Sequence, residues 1–196
     1  MSKLKVTTIA DPDNDNTAIS IDTSGNITIP NNATFTGTVT GAGGGKVLQV
    51  VSTTKTDTFT TTATTPSYAT ITGLTVSITP SSTSSKILVF GEVFMSNAGD
   101  GQQLVMHRDS TAICVGDTAG SRPRVSGSIS LSSQYWSNKV SASYLDAPST
   151  TSAITYSFKV AGGGSTVYVN RTQGDRDSTT YDPRGASTIT VMEIGA

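Results

Sequence analysis

The run Lys86–Ser96, KILVFGEVFMS, constrains the fold more than any other stretch of this chain. With the period of two of a β-strand, its apolar side chains fall on both faces: Ile87, Val89, Val93 and Met95 on one, and Leu88, Phe90 and Phe94 on the other. A strand at a sheet surface normally has one polar face. We therefore expect a second sheet to cover one face, and a partner subunit to cover the other at an interface formed by Leu88, Phe90 and Phe94.

The composition favours an all-β protein. Apolar residues make up 35% of the chain and charged residues only 14%, and much of the remainder is Ser, Thr and 19 Gly. Thr favours strands, whereas Ser and Gly favour turns. No stretch combines sustained helical periodicity with helix caps. We predict many short strands and almost no helix.

Charge and cysteine content exclude several classes of protein. The formal net charge is −1 and the basic residues are not clustered, which predicts no nucleic-acid partner. No apolar run is long enough to span a membrane, and the N-terminus lacks the apolar core of a signal peptide. We expect synthesis in a cytoplasm without a membrane partner. The single cysteine, Cys114, rules out an intrachain disulfide.

Residues 1–45 are predicted to form an extended fibrous β stem. They contain short alternating stretches separated by turn signals at 11–14, 23–26 and 30–32. Their few apolar side chains cannot offset a backbone ordering cost of about 1–2 kcal/mol per residue. The stem should therefore order only by intertwining with copies of itself or by docking on another protein. The sequence Ala-Gly-Gly-Gly at 42–45 predicts a flexible joint.

Residues 46–196 are predicted to form a β-sandwich head with a jelly-roll architecture. The strand candidates are short and separated by turn-rich connections, as in all-β sandwiches. They are 47–54, 67–79, 86–96, 102–108, 111–116, 125–132, 138–145, 153–160, 165–170 and 187–194.

The N-terminal stretch AISIDTSGNITIPNNATFTGTV resembles segments of bacteriophage tail fibres and other virion fibres, especially those of phages of marine bacteria. The stretches KVLQVVSTTKTDTFTT and ITPSSTSSKILV resemble the start of the head domains that follow such stems. The order and termination of the strands resemble the trimeric jelly roll of the C1q and tumour-necrosis-factor type. This resemblance implies a homotrimeric tail-fibre or head-fibre protein of a virion. Its stem, residues 1–45, would anchor to other virion proteins, and its head, residues 46–196, would face outward.

The loops of the head can be placed if every strand crosses the sandwich once and successive strands reverse. Loops 55–66, 97–101, 117–124, 146–152 and 171–186 then lie at the end away from the stem. Loops 80–85, 109–110, 133–137 and 161–164 lie at the stem end. The first set is richer in charge, and function is often carried by loops on a rigid scaffold. We predict that a host glycan or protein contacts Asp117, Arg122, Arg124, Arg171, Asp175, Arg176, Asp177, Tyr181, Asp182 and Arg184.

The sequence contains no strong catalytic or metal-binding motif. A nucleophilic pair of Cys114 and His107 would need hydrogen-bond reach and an orienting third group. Cys114 lies in the apolar run Ala-Ile-Cys-Val, which favours a buried structural thiol. We expect no enzymatic activity and no cofactor.

Asp11, Asp13 and Asp15 have the spacing of a calcium loop, with Asp22 at its twelfth position. Asn16 replaces the glycine that such a loop requires, so a solvated turn without metal is favoured.

Two further features have alternative interpretations. The carboxylates of loop 171–186 could suggest glycoside hydrolysis, but local ion pairs within a polar loop are the preferred reading. The aromatic stretch 134–136 is predicted to pack against the stem or a neighbouring subunit.

Two alternatives to a fibre stay open. The first is a head-decoration, head-fibre or adaptor protein without receptor binding. The second, which is less favoured, is a glycan-binding or glycan-cleaving protein.

Overall fold

The computed structural model describes residues 7–10, 17–29, 47–97 and 99–195, and every regular element in these ranges is a β-strand. The all-β prediction is confirmed. None of these ranges contains a helix long and apolar enough to cross a membrane. The chain divides into two compact units, Met1–Ala42 and Gly43–Ala196. The part of the predicted stem that follows its last turn signal at 30–32, together with the joint at 42–45, lies outside the described residues.

The first unit contains a small antiparallel sheet of β1 (Thr8–Ala10), β2 (Thr17–Ile21) and β3 (Ile27–Thr28). Asp22 closes the turn between β2 and β3. Its carboxylate accepts hydrogen bonds from the side-chain amide of Asn26, at 2.8 Å, and from the backbone N–H groups of Asn26 and Ser24. The bonds from Asn26 lower the pKa of Asp22. This carboxylate is thus engaged in the turn, whereas the other three aspartates of the calcium hypothesis lie outside the described residues.

The second unit, the head, contains eleven strands among its described residues. They are β4 (Val47–Lys55), β5 (Phe59–Thr61), β6 (Ala69–Ile78), β7 (Lys86–Ser96), β8 (Gln102–Arg108), β9 (Thr111–Ile113), β10 (Gly127–Ile129), β11 (Asn138–Asp146), β12 (Ile154–Gly162), β13 (Val167–Val169) and β14 (Ser187–Ile194).

These strands form two antiparallel sheets. In sheet I the main order is β4–β14–β7–β11, and β13 and β5 extend the sheet beside the last residues of β7. In sheet II the order is β6–β12–β8, and β9 and β10 both pair with the free edge of β8. Because β9 and β10 run in the same direction along one neighbour, they are two halves of a single edge strand.

The inward faces of the two sheets pack into one apolar core. The alternation predicted for β7 is confirmed on this side, because Ile87, Val89, Val93 and Met95 are fully buried. Tyr156 and Phe158 of β12 are the largest fully buried side chains opposite them. Burying a large apolar side chain contributes about 1.5–3 kcal/mol. This face-to-face packing is therefore the main stabilising term of the head.

The head has two ends, which the strand registers define. The proximal end is where β4 begins, and it carries the connections 79–85, 109–110 and 147–153. The distal end is opposite, and it carries the connections 56–58, 62–68, 130–137, 163–166 and 170–186 and the described residues between β7 and β8. A further connection, 114–126, leaves the edge of sheet II between β9 and β10 and is called the side loop.

The loop placement predicted by counting reversals is partly wrong. Loop 146–152 lies at the proximal end, and loops 133–137 and 161–164 lie at the distal end. The count failed because it assumed that the chain reverses direction between β9 and β10. These two strands run in the same direction along β8, so the side loop between them does not reverse the chain. Loop 171–186 nevertheless lies at the distal end, as predicted. The count treated β13 as a strand that crosses the sandwich, but β13 pairs only beside the distal end of sheet I, and this second miscount cancels the first.

Gly91 lies at the closest approach of β7 to β14 and to the opposite sheet. A Cβ added there would overlap the carbonyl oxygen of Thr188 and lie 2.8 Å from the ring of Phe158. Glycine is therefore required for the two sheets to pack at this distance.

Glu193 is a fully buried carboxylate at the proximal end of β14. It accepts hydrogen bonds from the hydroxyl and backbone N–H of Ser81, at 2.6 and 2.7 Å, and from the side-chain amide of Gln49, at 2.7 Å. Burial alone raises the pKa of Glu193, but these hydrogen bonds outweigh it and lower the pKa to about 2. The carboxylate thus joins β14, β4 and the connection 79–85.

Replacing Gly91 with alanine should destabilise the head by about 1–3 kcal/mol, because the added methyl group overfills a packed core. The matched control is Gly101→Ala, where a Cβ would meet no atom of the described residues within 4 Å. Denaturant unfolding monitored by circular dichroism measures both variants. Equal midpoints for the two would contradict the close approach described above.

The stability of the head should fall at acid pH because of Glu193. Its pKa is about 2 in the folded chain, compared with an ordinary value of 4.5 for the unfolded chain. The stabilisation that Glu193 gives to the folded head is therefore complete above pH 4.5 and is lost as the pH falls towards 2. Glu193→Gln should remove this acid dependence and lower the unfolding free energy at pH 7 by about 1–3 kcal/mol. Glu92→Gln, on the outer face, serves as control. Parallel stability curves for wild type and Glu193→Gln between pH 2 and 4.5 would refute the assignment.

Candidate functional site

The distal loop, residues 170–186, is held at both ends by Asn170. The buried Asn170 side chain donates to the backbone carbonyls of Lys55 and Asp57, at 2.9 Å each, and accepts from the Ser187 hydroxyl at 2.6 Å. The backbone carbonyl of Asn170 also accepts from the N–H of Gly185. Because the loop starts and ends on the same fixed residue, its long polar excursion has a rigid base.

Seven of the ten predicted contact residues lie in this loop, and ion pairs join most of them. Asp175 is paired with Arg184 at 2.7 Å and with Arg171 at 3.2 Å. Asp182 is paired with Arg176 at 2.6 Å. Asp177 is exposed, and Tyr181 lies among the aromatic residues described below.

Asp182 is the buried centre of the distal loop. Its carboxylate accepts a hydrogen bond from the Thr172 hydroxyl at 2.6 Å in addition to its pair with Arg176. The bond from Thr172 lowers the pKa of Asp182, and the pair with Arg176 lowers it further. A general acid of a glycosidase needs the opposite shift. The arrangement around Asp182 therefore fixes loop structure and does not store a proton.

An aromatic cluster of Tyr135, Trp136 and Tyr181 lies beside these ion pairs. The Arg176 guanidinium lies 4.0 Å from the ring centroid of Tyr135 and 5.5 Å from that of Tyr181. Trp136 meets Tyr181 edge-on at 6.4 Å and is 56% exposed. The prediction that stretch 134–136 lies at the stem end is wrong, because the connection 130–137 belongs to the distal end. In the sequence, the signal that could have assigned the stretch 134–136 to this site is the pair of adjacent aromatic residues Tyr135 and Trp136.

The distal loop also encloses a polar hollow of about 520 Å³, lined by residues 175–178 and 182–184. Its carboxylate, guanidinium and hydroxyl groups are hydrogen-bond donors and acceptors, and exposed aromatic rings lie beside it. Flat rings next to fixed polar groups are typical of surfaces that contact saccharides or proteins. We name the hollow and the three aromatic residues together the distal cluster.

The other three predicted contact residues, Asp117, Arg122 and Arg124, lie in the side loop. Within the described part of the chain, no hydrogen bond or ion pair connects the side loop to the distal loop. The side loop instead approaches the connection 62–68, and the two enclose a separate pocket of about 420 Å³.

His107 and Cys114 do not form a nucleophilic pair. His107 is buried on the outer face of sheet II, and its Nδ1 lies 3.4 Å from the carbonyl of Val105. Burial lowers the pKa of His107, as does the charge of Lys159. Cys114 packs against the core and its thiol donates to the carbonyl of Ser143. In the described ranges, no three His, Cys, Asp or Glu side chains are arranged to hold a metal ion.

The outer face of sheet I carries an apolar patch at its proximal half. Cross-strand pairing places Val50, Met192, Leu88 and Leu145 side by side on four neighbouring strands. Val50 and Leu145 are 53% and 48% exposed. The full apolar patch consists of Leu48, Val50, Leu88, Phe90, Leu145, Met192 and Ile194.

The three predicted interface residues differ in their surroundings. Leu88 and Phe90 belong to the apolar patch. Phe94 is separated from it by the ion pair of Glu92 with Lys139, and Gly185 lies directly against the Phe94 ring. The distal loop therefore covers part of Phe94 within the same chain.

No protein-family model matches the chain, and no curated protein matches it. Among solved structures, the chain is similar to a chain of "Structure of infectious bursal disease virus Gx strain", with 14% sequence identity and a TM-score of 0.35. The similarity covers 85% of this chain and 46% of that chain, so this chain spans less than half of the viral chain's length. A TM-score this low does not establish a common fold. The likeness therefore assigns neither a fold nor a function.

Asp182→Asn should loosen the distal loop, because Arg176 and Thr172 lose the charge that holds them. We expect faster trypsin cleavage after Arg176 and Arg184 and a changed fluorescence of Trp136, the single tryptophan. Asp177→Asn is the control, since Asp177 is exposed and no ion pair in the described ranges includes it. Identical cleavage rates for both variants would show that Asp182 does not organise the loop.

Proposed function

We propose that the chain is a virion structural protein, namely a homotrimeric tail-fibre or spike subunit. In this proposal residues 1–45 anchor to other virion proteins and the distal cluster contacts a glycan or protein of the host surface. The protein has no catalytic activity and no cofactor, and it is located in the virion. The resemblance of its N-terminal stretch to virion fibres supports this assignment.

The observation that carries the proposal is the apolar patch on the outer face of sheet I. Soluble monomers rarely expose a contiguous apolar surface of several strands. The patch ends at the row of Phe90, whose cross-strand neighbours are the polar residues Ser52, Thr190 and Ser143. The next row along the sheet is polar throughout and consists of Thr54, Thr188, Glu92 and Ser141. An apolar area with a polar rim is typical of a permanent subunit interface.

Threefold symmetry suits this surface. Three copies arranged around one axis bury the same patch on each subunit and leave no patch free to recruit further copies. A hollow of about 410 Å³ beside Phe90, lined by small residues of β11 and by Thr188, offers space for a side chain of a neighbouring copy. Sheet II would then face outward with its polar surface of Thr70, Thr72, Thr75 and Ser77.

The strand order supports the jelly-roll part of the proposal. Counting β9 and β10 as one strand, the eight main strands of the head form two four-stranded sheets, β4–β14–β7–β11 and β6–β12–β8–β9/β10. Chain neighbours β6 and β7, β7 and β8, and β11 and β12 lie in different sheets, as in a jelly roll. The distal cluster lies at the end opposite Val47, where the head begins.

Attachment to cells tests the receptor part of the proposal. Labelled full-length protein, incubated with a panel of bacterial strains that includes marine isolates, should bind some strains and not others. Trp136→Ala and Tyr181→Ala should reduce this binding about tenfold or more, because exposed Trp and Tyr dominate contact energies. Tyr144→Ala is the matched control, since Tyr144 is similarly exposed but lies on β11.

A chain that assembles onto particles through residues 1–45 yet binds no strain would contradict the receptor role. That result would favour the head-decoration or adaptor alternative. Release of reducing sugar from a bound glycan would instead favour a glycan-cleaving protein.

A further inference from the structure

The side-loop pocket differs from the distal cluster in its charge. It lies between residues 120–124 of the side loop and Thr65, Pro66 and Tyr68, and its volume is about 420 Å³. Cavities of this size hold small ligands. Its charged lining residues are Arg122 and Arg124, and none of the described residues that line it is acidic.

These two arginines differ from the other four arginines of the chain in their ion pairing. The sequence has six arginines, and four of them, Arg108, Arg171, Arg176 and Arg184, are each paired with an aspartate. In the described part of the chain, neither Arg122 nor Arg124 forms an ion pair. The two unpaired guanidinium groups thus lie two positions apart and line the same pocket.

The Arg124 side chain is already oriented for a ligand. Its Nε donates to the carbonyl of Gly116 at 2.5 Å, and within the described ranges its two terminal amino groups have no partner and can donate together. The backbone N–H of Arg122 donates to the backbone carbonyl of Ala119 and closes the turn that carries Arg122. A planar guanidinium held in this way matches the oxygens of a carboxylate or phosphate.

The remaining walls suit a sugar ring. Tyr68 is half-buried, and its hydroxyl donates to Gln103 at 2.5 Å, so its ring is fixed in the wall. Tyr68 is uncharged at neutral pH and does not repel an anion, and burial raises its pKa further above the ordinary value. Pro66 and Pro123 add apolar surface, and Thr65 and Ser121 supply hydroxyl groups.

We infer that the side-loop pocket binds the anionic group of an acidic saccharide through Arg122 and Arg124. The saccharide ring lies against Tyr68 and the two prolines. The distal cluster, with its arginines already compensated by aspartates, contacts uncharged groups. The inference adds a ligand class to the proposed host contact, and it rests on that proposal only for the source of the saccharide.

Titration of the full-length protein by calorimetry or ligand-observed NMR tests the inference with three probes. Glucuronate carries a carboxylate, glucose 6-phosphate carries a phosphate, and glucose carries no charge. We expect binding of at least one anionic sugar, weakened by added salt, and the stronger of the two identifies the preferred anion. Glucose binding as tightly as both anionic sugars would overturn the inference.

Variants locate the site. Arg122→Gln and Arg124→Gln should each weaken anionic-sugar binding by about tenfold, with unfolding midpoints unchanged because both side chains are exposed. Arg184→Gln in the distal loop is the matched control and should bind as wild type does. Wild-type affinity of both side-loop variants would overturn the inference. Sugar binding without attachment to any strain would reject the proposed receptor role while leaving the pocket assignment intact.

Discussion

Strand β7 is apolar on both faces, and its own chain buries only one of them completely. The inward face meets Tyr156 and Phe158 of sheet II and forms the core of the head. The outward face pairs with Met192 of β14 and Leu145 of β11 to form the apolar patch. Because burial of apolar surface is the dominant favourable term in folding and association, one strand connects the fold of the head to the proposed trimer.

The two ends of the head use polar groups differently. At the proximal end the buried Glu193 accepts hydrogen bonds from Ser81 and Gln49 and stabilises the junction of three elements. At the distal end Asp175 and Asp182 form ion pairs with three arginines, and aromatic rings are exposed beside these pairs. A polar loop whose charges are satisfied internally keeps its shape without a ligand. Such preorganisation reduces the entropy lost when a ligand binds.

The sequence predicted the parts of the fold that depend on alternation within one strand. The bounds of β7, β8 and β14 agree with the predicted 86–96, 102–108 and 187–194, because their inward positions are apolar and must be buried. It did not predict β5, since Phe59 is the only large apolar side chain in the Thr-rich stretch 56–65. Such a short edge strand forms because β13 provides its partner, and partners are not visible in local sequence.

The candidate site was predictable in composition but not in geometry. Charged residues identified the distal loop, but the pairing of Arg176 with Asp182 depends on how the loop folds back on Asn170. Trp136 was assigned to the wrong end because β9 and β10 were counted as two strands when they are halves of one. Ion pairs and strand counts both depend on contacts between distant residues, which a local pattern does not specify.

The solution mass of the chain tests most directly whether copies of this protein cover the apolar patch. Sedimentation equilibrium of the wild-type chain should give three times the 20.2 kDa of one subunit. Met192→Asp, which places a charge in the centre of the patch, should shift the mass to that of one subunit. Thr75→Asp, on the outer face of sheet II, should leave it unchanged. A stable, folded wild-type monomer at micromolar concentration would contradict the account.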